Sequence, residues 1–292
     1  MAVLRNIFRN TGTTLEMIKW EHSVLTHPFG LTGAVLAARG IPNLHTSIWI
    51  IVALFAARSA AMAFNRLVDA DIDAENPRTK IRALPAGKLS KQFVLGFVIV
   101  TSAILIFAAW QLNPLAFYLS PVALAIVFFY SFTKRFTRWA HVVLGVAMGI
   151  APAAAWIAVR GSFDPRILLL TGAVVFWGAG FDILYSCQDY EFDRSVGVCS
   201  IPRAFGIRNS LIIARLFHVV TVALLAGMVV AFSLGKIAII GVMIVALLLI
   251  YEHSLVKHDD LSRVNAAFFT MNGFISMGFM FFVAADLMLG RR

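Results

Sequence analysis

Two stretches of the sequence repeat one spacing of polar residues. In each stretch three polar residues stand four positions apart, and the second set follows the first by 120 residues (185−65, 189−69 and 193−73). The sets are Asn65, Asp69 and Asp73, and Tyr185, Asp189 and Asp193. Residues four apart lie on nearly the same face of an α-helix, so each set points in one direction. Four carboxylates brought together in this way would repel one another, and divalent metal ions with oxygen ligands would relieve that repulsion.

Basic residues near the acidic ones suit an anionic substrate. They are Arg78, Lys80, Arg82, Lys134 and Arg203. Because Mg²⁺ typically binds one or two carboxylates plus substrate phosphates, the combination predicts a metal-bridged phosphate ester whose free oxygens are bound by the bases. The alternative is a solvated, salt-bridged surface. Lys134, which follows Tyr130 by four residues, would in that case anchor a helix at the lipid headgroups.

Arg58 lies inside an apolar segment, seven residues before Asn65 and therefore about two turns deeper on the same helix face. An arginine within a membrane span is costly and indicates a functional site. Its planar guanidinium predicts a bidentate contact with a small carboxylate. The alternative role is a structural ion pair with an internal acid.

The elements that must position these residues are membrane helices. The chain has 292 residues, 60% of them hydrophobic, and only 14% are charged, against about 25% in soluble domains. Its mean hydropathy is +0.84. Nine apolar segments are long enough to span a bilayer. They are residues 17–38, 46–68, 91–111, 114–132, 139–158, 167–187, 209–232, 236–255 and 265–288. We expect an all-α integral membrane protein, a bundle of nine transmembrane helices that forms a single domain over residues 1–292.

The basic residues also predict the orientation of the chain in the lipid bilayer. Sixteen of the 25 lie on the side of the N-terminus, six lie on the opposite side and three fall inside spans. The positive-inside bias then predicts a cytoplasmic N-terminus and cytoplasmic acid-rich connections at 69–90 and 188–208. The net charge of +10 is explained by this topology, and no basic and aromatic pattern of a nucleic-acid module is present. We expect no signal peptide, because no short apolar segment with a cleavage site follows Arg5 and Arg9.

Over essentially its whole length the sequence resembles the UbiA superfamily of membrane prenyltransferases. The stretches that carry the resemblance are "ARSAAMAFNRLVDADIDAENPRT", "RALPAGKLS", "YSFTKRFT" and "DILYSCQDYEFDRSVGVCSIPRAFG". The resemblance implies that Mg²⁺ is bound by Asp69, Asp73, Asp189 and Asp193 with help from Asn65. It implies that Arg78, Arg82 and Lys134 bind the phosphates of a polyprenyl diphosphate, that Tyr185 shields the allylic cation, and that Arg58 contacts a carboxylate on the aromatic acceptor.

The sequence departs from the family pattern at Cys199, where many relatives have a lysine, and we expect Arg203 to supply that charge. Two aromatic acceptors are consistent with the resemblance, 4-hydroxybenzoate and a dihydroxynaphthoate. The second is included because the second motif looks closer to the menaquinone branch of the family. The resemblance thus implies prenyl transfer in ubiquinone or menaquinone biosynthesis at the inner (plasma) membrane. Haem-type or chlorophyll-type prenyl transfer is one alternative. A cation-coupled transporter is another, although transporter sites usually lie at the membrane midplane.

Overall fold

The computed structural model describes residues 11–290, apart from the side chains at positions 22, 24 and 25. Within that range the regular structure is entirely helical. The helices are α1 (Ser23–Ala38), α2 (Leu44–Val68), α3 (Ala70–Glu75), α4 (Lys91–Leu112), α5 (Pro114–Thr133), α6 (Ala140–Arg160), α7 (Ile167–Ser186), α8 (Tyr190–Val196), α9 (Ile201–Ala231), α10 (Lys236–Leu255) and α11 (Val264–Leu289). Short 3₁₀ turns at Trp20–His22 and Cys187–Asp189 precede α1 and α8.

The all-helical membrane bundle predicted from the sequence is confirmed. Eight helices in the described range are long and apolar enough to cross a membrane. The remaining predicted span, 17–38, is shorter than expected: α1 has 16 residues and begins at Ser23. Lys19 has a left-handed backbone conformation (φ 49°), which ends the preceding helical segment. The predicted span 209–232 begins earlier than expected, at Ile201, and is interrupted at Gly206, where φ is 77°.

The short "LNP" connection does separate two spans. Asn113 is fully extended (φ −169°, ψ 165°), and Pro114 begins the next helix because its ring fits the first helical position. The Asn113 side chain accepts a hydrogen bond from the Ala116 N–H and donates to the Ile157 and Ala158 carbonyls. The turn between α4 and α5 is therefore fixed against the end of α6.

The helices form a closed ring in which most successive long helices pack side by side. The order is α2, α4, α5, α6, α7, α9, α10, α11 and α1, and α1 returns to α2. In addition, α1 packs closely on α6. Gly33 permits that approach, since a Cβ there would lie 2.3 Å from the Pro152 carbonyl oxygen.

Apolar side chains lie on both the inside and the outside of the bundle. Trp177, Phe29 and Phe279 are the largest fully buried side chains, and they pack together in the core. Large side chains such as Trp110 and Leu247 are more than half exposed on the outer surface. An aqueous surface rarely carries so many exposed apolar groups, whereas a lipid-facing surface requires them.

The two acidic motifs share one local backbone geometry. Asp69 ends α2 and precedes the short helix α3, with φ −91° and ψ 2°. Asp189 ends the turn after α7 and precedes the short helix α8, with φ −96° and ψ 6°. Asp73 and Asp193 each stand at the fourth position of their short helix. The 120-residue repeat of the sequence is therefore also a repeat of structure, a long helix followed by a bend and a short helix.

Candidate active site

A cavity of about 560 Å³ opens between the two acidic motifs. Of the residues predicted to act in catalysis or binding, those that line it are Arg58, Asn65, Asp69, Asp73, Arg78, Arg82, Tyr130, Lys134, Tyr185, Asp189 and Asp193. Its deeper walls include apolar side chains such as Leu54, Met148 and Phe181. The cavity therefore joins a charged end to an apolar interior, as an amphipathic substrate would require.

Asp69 is held by bases that come from the end of α5. The carboxylate is 2% exposed and lies 2.7 Å from Lys134 Nζ. Arg135 lies 3.4 Å from its other oxygen and also donates to the Val68 carbonyl. Asn65, one turn earlier on α2, donates an amide hydrogen bond of 2.8 Å to Asp69. Burial of this carboxylate is thus compensated by two positive charges and a neutral donor.

Asp73 is held by residues of its own segment. Arg82 NH1 contacts both carboxylate oxygens, at 2.7 and 2.8 Å, and the buried Arg66 lies 4.0 Å away. Thr79 donates to the Asp73 carbonyl, which fixes the turn that carries Arg82 back over the helix end. The loop between α3 and α4 therefore folds over the cavity mouth and presents its bases to it.

Asp189 links the two motifs. Arg78 donates two hydrogen bonds to it, at 2.9 and 2.5 Å, and Asn76 donates a third at 3.1 Å. Arg78 also contacts the Tyr185 hydroxyl at 3.2 Å, and its guanidinium lies 5.3 Å from the centre of that ring. Burial alone would lower the pKa of Arg78, but the hydrogen bonds and the charge of Asp189 outweigh burial and raise it. The guanidinium therefore stays charged, and it bridges the halves of the site.

Asp193 and Arg203 differ from the other predicted residues. Asp193 is 7% exposed and forms a hydrogen bond with Ser200; within the described part of the chain it has no ion pair of 4 Å or less. Arg203 lies outside the cavity lining and is exposed. Its guanidinium donates to the carbonyls of Gly197 and Val198, because helix α9 begins just after that loop and turns the side chain back on it. Cys199 lines the cavity, and the Arg203 side chain does not.

An acid and a histidine that the sequence analysis did not single out also line the cavity. Asp182 lies one turn before Tyr185 on α7, and its carboxylate is 2.7 Å from His141 Nδ1 at the start of α6. The backbone N–H of Ile201 approaches His141 Nε2 at 3.4 Å. Asp182 therefore faces the cavity in an orientation fixed by His141. A carboxylate within a predicted span was the available signal for it.

Arg58 lies deeper, as its spacing predicted. NH1 approaches the Thr26 hydroxyl of α1 at 3.5 Å, and the charge of Glu21 acts on the guanidinium. Its Nε is buried and has no hydrogen-bond partner among the described residues. An unpaired buried donor is costly, which makes this atom a candidate contact for a bound anion.

The four motif carboxylates are chemically suited to Mg²⁺. All four line one cavity and offer hard oxygen ligands. Among the described residues no three acidic, histidine or cysteine side chains converge closely enough to hold a metal ion by themselves. Such a site fits an ion that takes only one or two carboxylates and completes its shell with substrate phosphates.

The sequence profile of the UbiA prenyltransferase family matches residues 27–278, which include both motifs and most of the residues that line the cavity. The chain belongs to the UbiA prenyltransferase family. It is therefore a membrane-bound enzyme of an aromatic prenyltransferase family. Membership favours the transferase over the transporter that the sequence analysis left open.

Relatives that are named as 4-hydroxybenzoate polyprenyltransferases cover most of this UbiA-family chain. It is 31% identical over 238 residues to the 4-hydroxybenzoate octaprenyltransferase of Vibrio parahaemolyticus, which covers 82% of this chain and 84% of the relative. It is 30% identical to the enzyme of the same name from Alkalilimnicola ehrlichii, across 96% and 99% of the two chains. The 4-hydroxybenzoate solanesyltransferase of Synechocystis is 34% identical, across 70% and 74%.

Solved structures share the fold. A UbiA homologue from Aeropyrum pernix superimposes with a TM-score of 0.79 at 31% identity, and the match covers 93% of this chain and 98% of that one. A UbiA homologue from Archaeoglobus fulgidus, determined with DMAPP and Mg²⁺ bound, superimposes with a TM-score of 0.72 at 23% identity over 95% and 99% of the two chains. The all-helical bundle is therefore the UbiA fold.

Proposed function

We propose that this UbiA-family enzyme transfers a polyprenyl group from polyprenyl diphosphate to a carboxylated hydroxyarene, with Mg²⁺ as cofactor. The observation that carries the proposal is one cavity with acids and bases at its mouth, apolar walls, and in its depth an arginine whose Nε is unpaired. The acceptor is 4-hydroxybenzoate or a dihydroxynaphthoate. The names of the relatives support 4-hydroxybenzoate. The resemblance of the second motif to the menaquinone branch supports a dihydroxynaphthoate.

The charged mouth of the cavity is the diphosphate site. Asp69, Asp73, Asp189 and Asp193 would bind Mg²⁺, which when bound neutralises negative charge on the leaving diphosphate. The homologue from Archaeoglobus fulgidus that was solved with DMAPP and Mg²⁺ supports this role. The side chains that would bind phosphate oxygens directly are Arg78, Arg82 and Lys134, which now pair with these same acids. Such fixed charges stabilise developing negative charge without reorganising during the reaction.

The reaction replaces one bond by another. The bond between prenyl C1 and the diphosphate oxygen breaks, and its electron pair leaves with diphosphate. A carbon of the aromatic ring then bonds to prenyl C1, and that carbon loses its proton. Tyr185 lies beside the diphosphate site, and its π face would stabilise the allylic cation. Asp182, oriented by His141, is the carboxylate that would accept the proton.

The acceptor site is assigned to the deeper part of the cavity around Arg58. A guanidinium with an unpaired Nε is suited to the acceptor's carboxylate, and the apolar side chains beside it suit an aromatic ring. Both candidate acceptors, 4-hydroxybenzoate and a dihydroxynaphthoate, carry a carboxylate. Haem-type and chlorophyll-type acceptors are less well matched, because their enzymes have different second motifs.

The membrane location follows from the helices and the orientation from the charge bias. We assign the enzyme to the inner (plasma) membrane, with the connections 69–90 and 188–208 and the cavity mouth facing the cytoplasm. A cytoplasmic mouth would give direct access to a water-soluble aromatic acid, while the prenyl chain would enter from the lipid.

The test is a direct assay of the purified enzyme with a polyprenyl diphosphate and Mg²⁺. It is run with 4-hydroxybenzoate and with a dihydroxynaphthoate, and the product is identified by mass. Arg58→Ala is expected to raise the acceptor KM about 10- to 100-fold and leave the donor KM nearly unchanged. No diphosphate release with either acceptor would contradict the proposed function. Equal losses toward donor and acceptor, with a lower melting temperature, would make Arg58 a structural residue.

A further inference from the structure

His27 is a buried histidine of α1 that lines the same cavity as Arg58. It is 9% exposed, and its ring packs edge-on against Phe55 with 4.4 Å between the ring centres. Its Nε2 has no hydrogen-bond partner among the described residues. The ring also interacts with the backbone of Leu54, and Nε2 remains buried and unpaired.

The unpaired Nε2 of His27 and the unpaired Nε of Arg58 belong to one corner of the cavity. The Arg58 guanidinium reaches Thr26, the residue directly before His27, and its charge acts on His27. A second charged residue, Glu21, acts on Arg58. Buried polar atoms are nearly always paired in folded proteins, and two unpaired nitrogens on one cavity wall indicate a ligand with two oxygens.

We propose that His27 is a second binding residue for the acceptor, and that His27 Nε2 and Arg58 Nε bind the two oxygens of one carboxylate. The inference rests on the proposed function for the identity of the ligand as an aromatic carboxylate. The Arg58 Nε–H donates to one oxygen. The other oxygen and His27 Nε2 share a proton between them.

The shared proton comes from the solvent, and its uptake on binding can be measured. At about pH 8 a free histidine is neutral and an aromatic carboxylate is ionised, so neither partner brings the proton into the complex. Formation of the proposed complex, starting from a neutral His27 whose Nε2 carries no proton, therefore takes up about one proton from the solvent for each acceptor bound. A site built from Arg58 alone would take up none, because arginine is already charged.

Isothermal titration calorimetry of the purified enzyme tests this without requiring turnover. The ligand is 4-hydroxybenzoate, or the dihydroxynaphthoate if that is the acceptor, and binding is measured in two buffers with different ionisation enthalpies. We expect uptake of about one proton by the wild-type enzyme at about pH 8. The amide analogue of the ligand, which has the same shape and no charge, should bind without proton uptake.

Two variants and a control separate binding from folding. His27→Phe keeps the aromatic contact with Phe55 and should raise the acceptor Kd about 10- to 100-fold, with no proton uptake. His27→Gln restores a hydrogen bond without a titrating group, so affinity should recover in part and proton uptake should stay absent. His45→Phe changes an exposed histidine outside the cavity and should leave both quantities unaltered. A thermal melt of each His27 variant, compared with that of the wild-type enzyme, shows whether it is folded.

The outcomes separate this inference from the proposed function. If His27→Phe binds the acceptor as tightly as the wild type, the role of His27 is refuted even when prenylated product forms. If the wild-type enzyme binds the acceptor without proton uptake, the shared proton is refuted. If proton uptake is present and lost in His27→Phe, while no prenylated product forms with either acceptor, His27 does bind the carboxylate and the proposed function is refuted.

Discussion

Arg78 is the side chain whose removal should most clearly disturb the donor site. It joins the loop after the first motif to the carboxylate of the second, through two hydrogen bonds to Asp189 and one to Tyr185. Arg78→Ala would leave Asp189 without its ionic partner and would remove a positive charge from the place assigned to the diphosphate. We expect a higher donor KM and little change in the acceptor KM.

The size of the effect follows from the geometry. A charge-assisted hydrogen bond contributes about 1.5–3 kcal/mol. The Arg78 side chain is 33% exposed and that of Asp189 17% exposed, so solvent screening favours the lower part of that range. About 2 kcal/mol corresponds to about a 30-fold rise in donor KM. Arg78→Lys keeps the charge but loses the fork of parallel donors, and should cost about 3- to 10-fold.

Steady-state kinetics with the donor and the acceptor varied in turn measures both constants, and a thermal melt measures folding. Lys80→Ala is the matched control, because Lys80 lies on the same loop, is exposed and does not line the cavity. The reasoning fails if Lys80→Ala raises the donor KM as much as Arg78→Ala does. It also fails if Arg78→Ala changes only the acceptor KM.

Three further predictions concern the metal, the topology and the proton acceptor. Activity should require Mg²⁺ or Mn²⁺, and Asp69→Ala and Asp189→Ala should each lower turnover at least about 100-fold, whereas full activity in EDTA would contradict the metal role. A Lys80→Cys variant without the native cysteines should not react with an impermeant thiol reagent added to intact cells, and it should react in inverted vesicles. Ready labelling in intact cells would contradict the predicted topology. Asp182→Asn should lower kcat about 100-fold with an unchanged donor KM, because an amide cannot take the proton, and wild-type turnover by this variant would exclude that role.

The tertiary structure decided the contacts that single helices cannot specify. The sequence analysis expected Arg203 to supply the charge that is missing at Cys199, whereas its guanidinium donates to the carbonyls of the loop before α9. The sequence analysis used Arg135 only in the count of basic residues that predicts membrane orientation. In the structure Arg135 and Lys134 both form ion pairs with Asp69. In both cases the direction of the side chain depends on where a helix begins or ends relative to its neighbours. Residue spacing does not contain that information.

The sequence by itself determined the helical membrane fold and the identity of the charged cluster. Apolar segments about 20 residues long can satisfy their backbone hydrogen bonds in lipid only as helices or closed barrels, and a spacing of four fixes which side chains share a helix face. An even number of membrane crossings separates the motifs, so Asp69 and Asp189 had to lie on one side of the membrane. The pairs formed between helices, His141 with Asp182 and His27 beside Arg58, were decided only by the tertiary structure. They depend on how α1 and α2, and α6 and α7, pack together, and helix packing is set by the shapes of whole helix surfaces rather than by any local pattern.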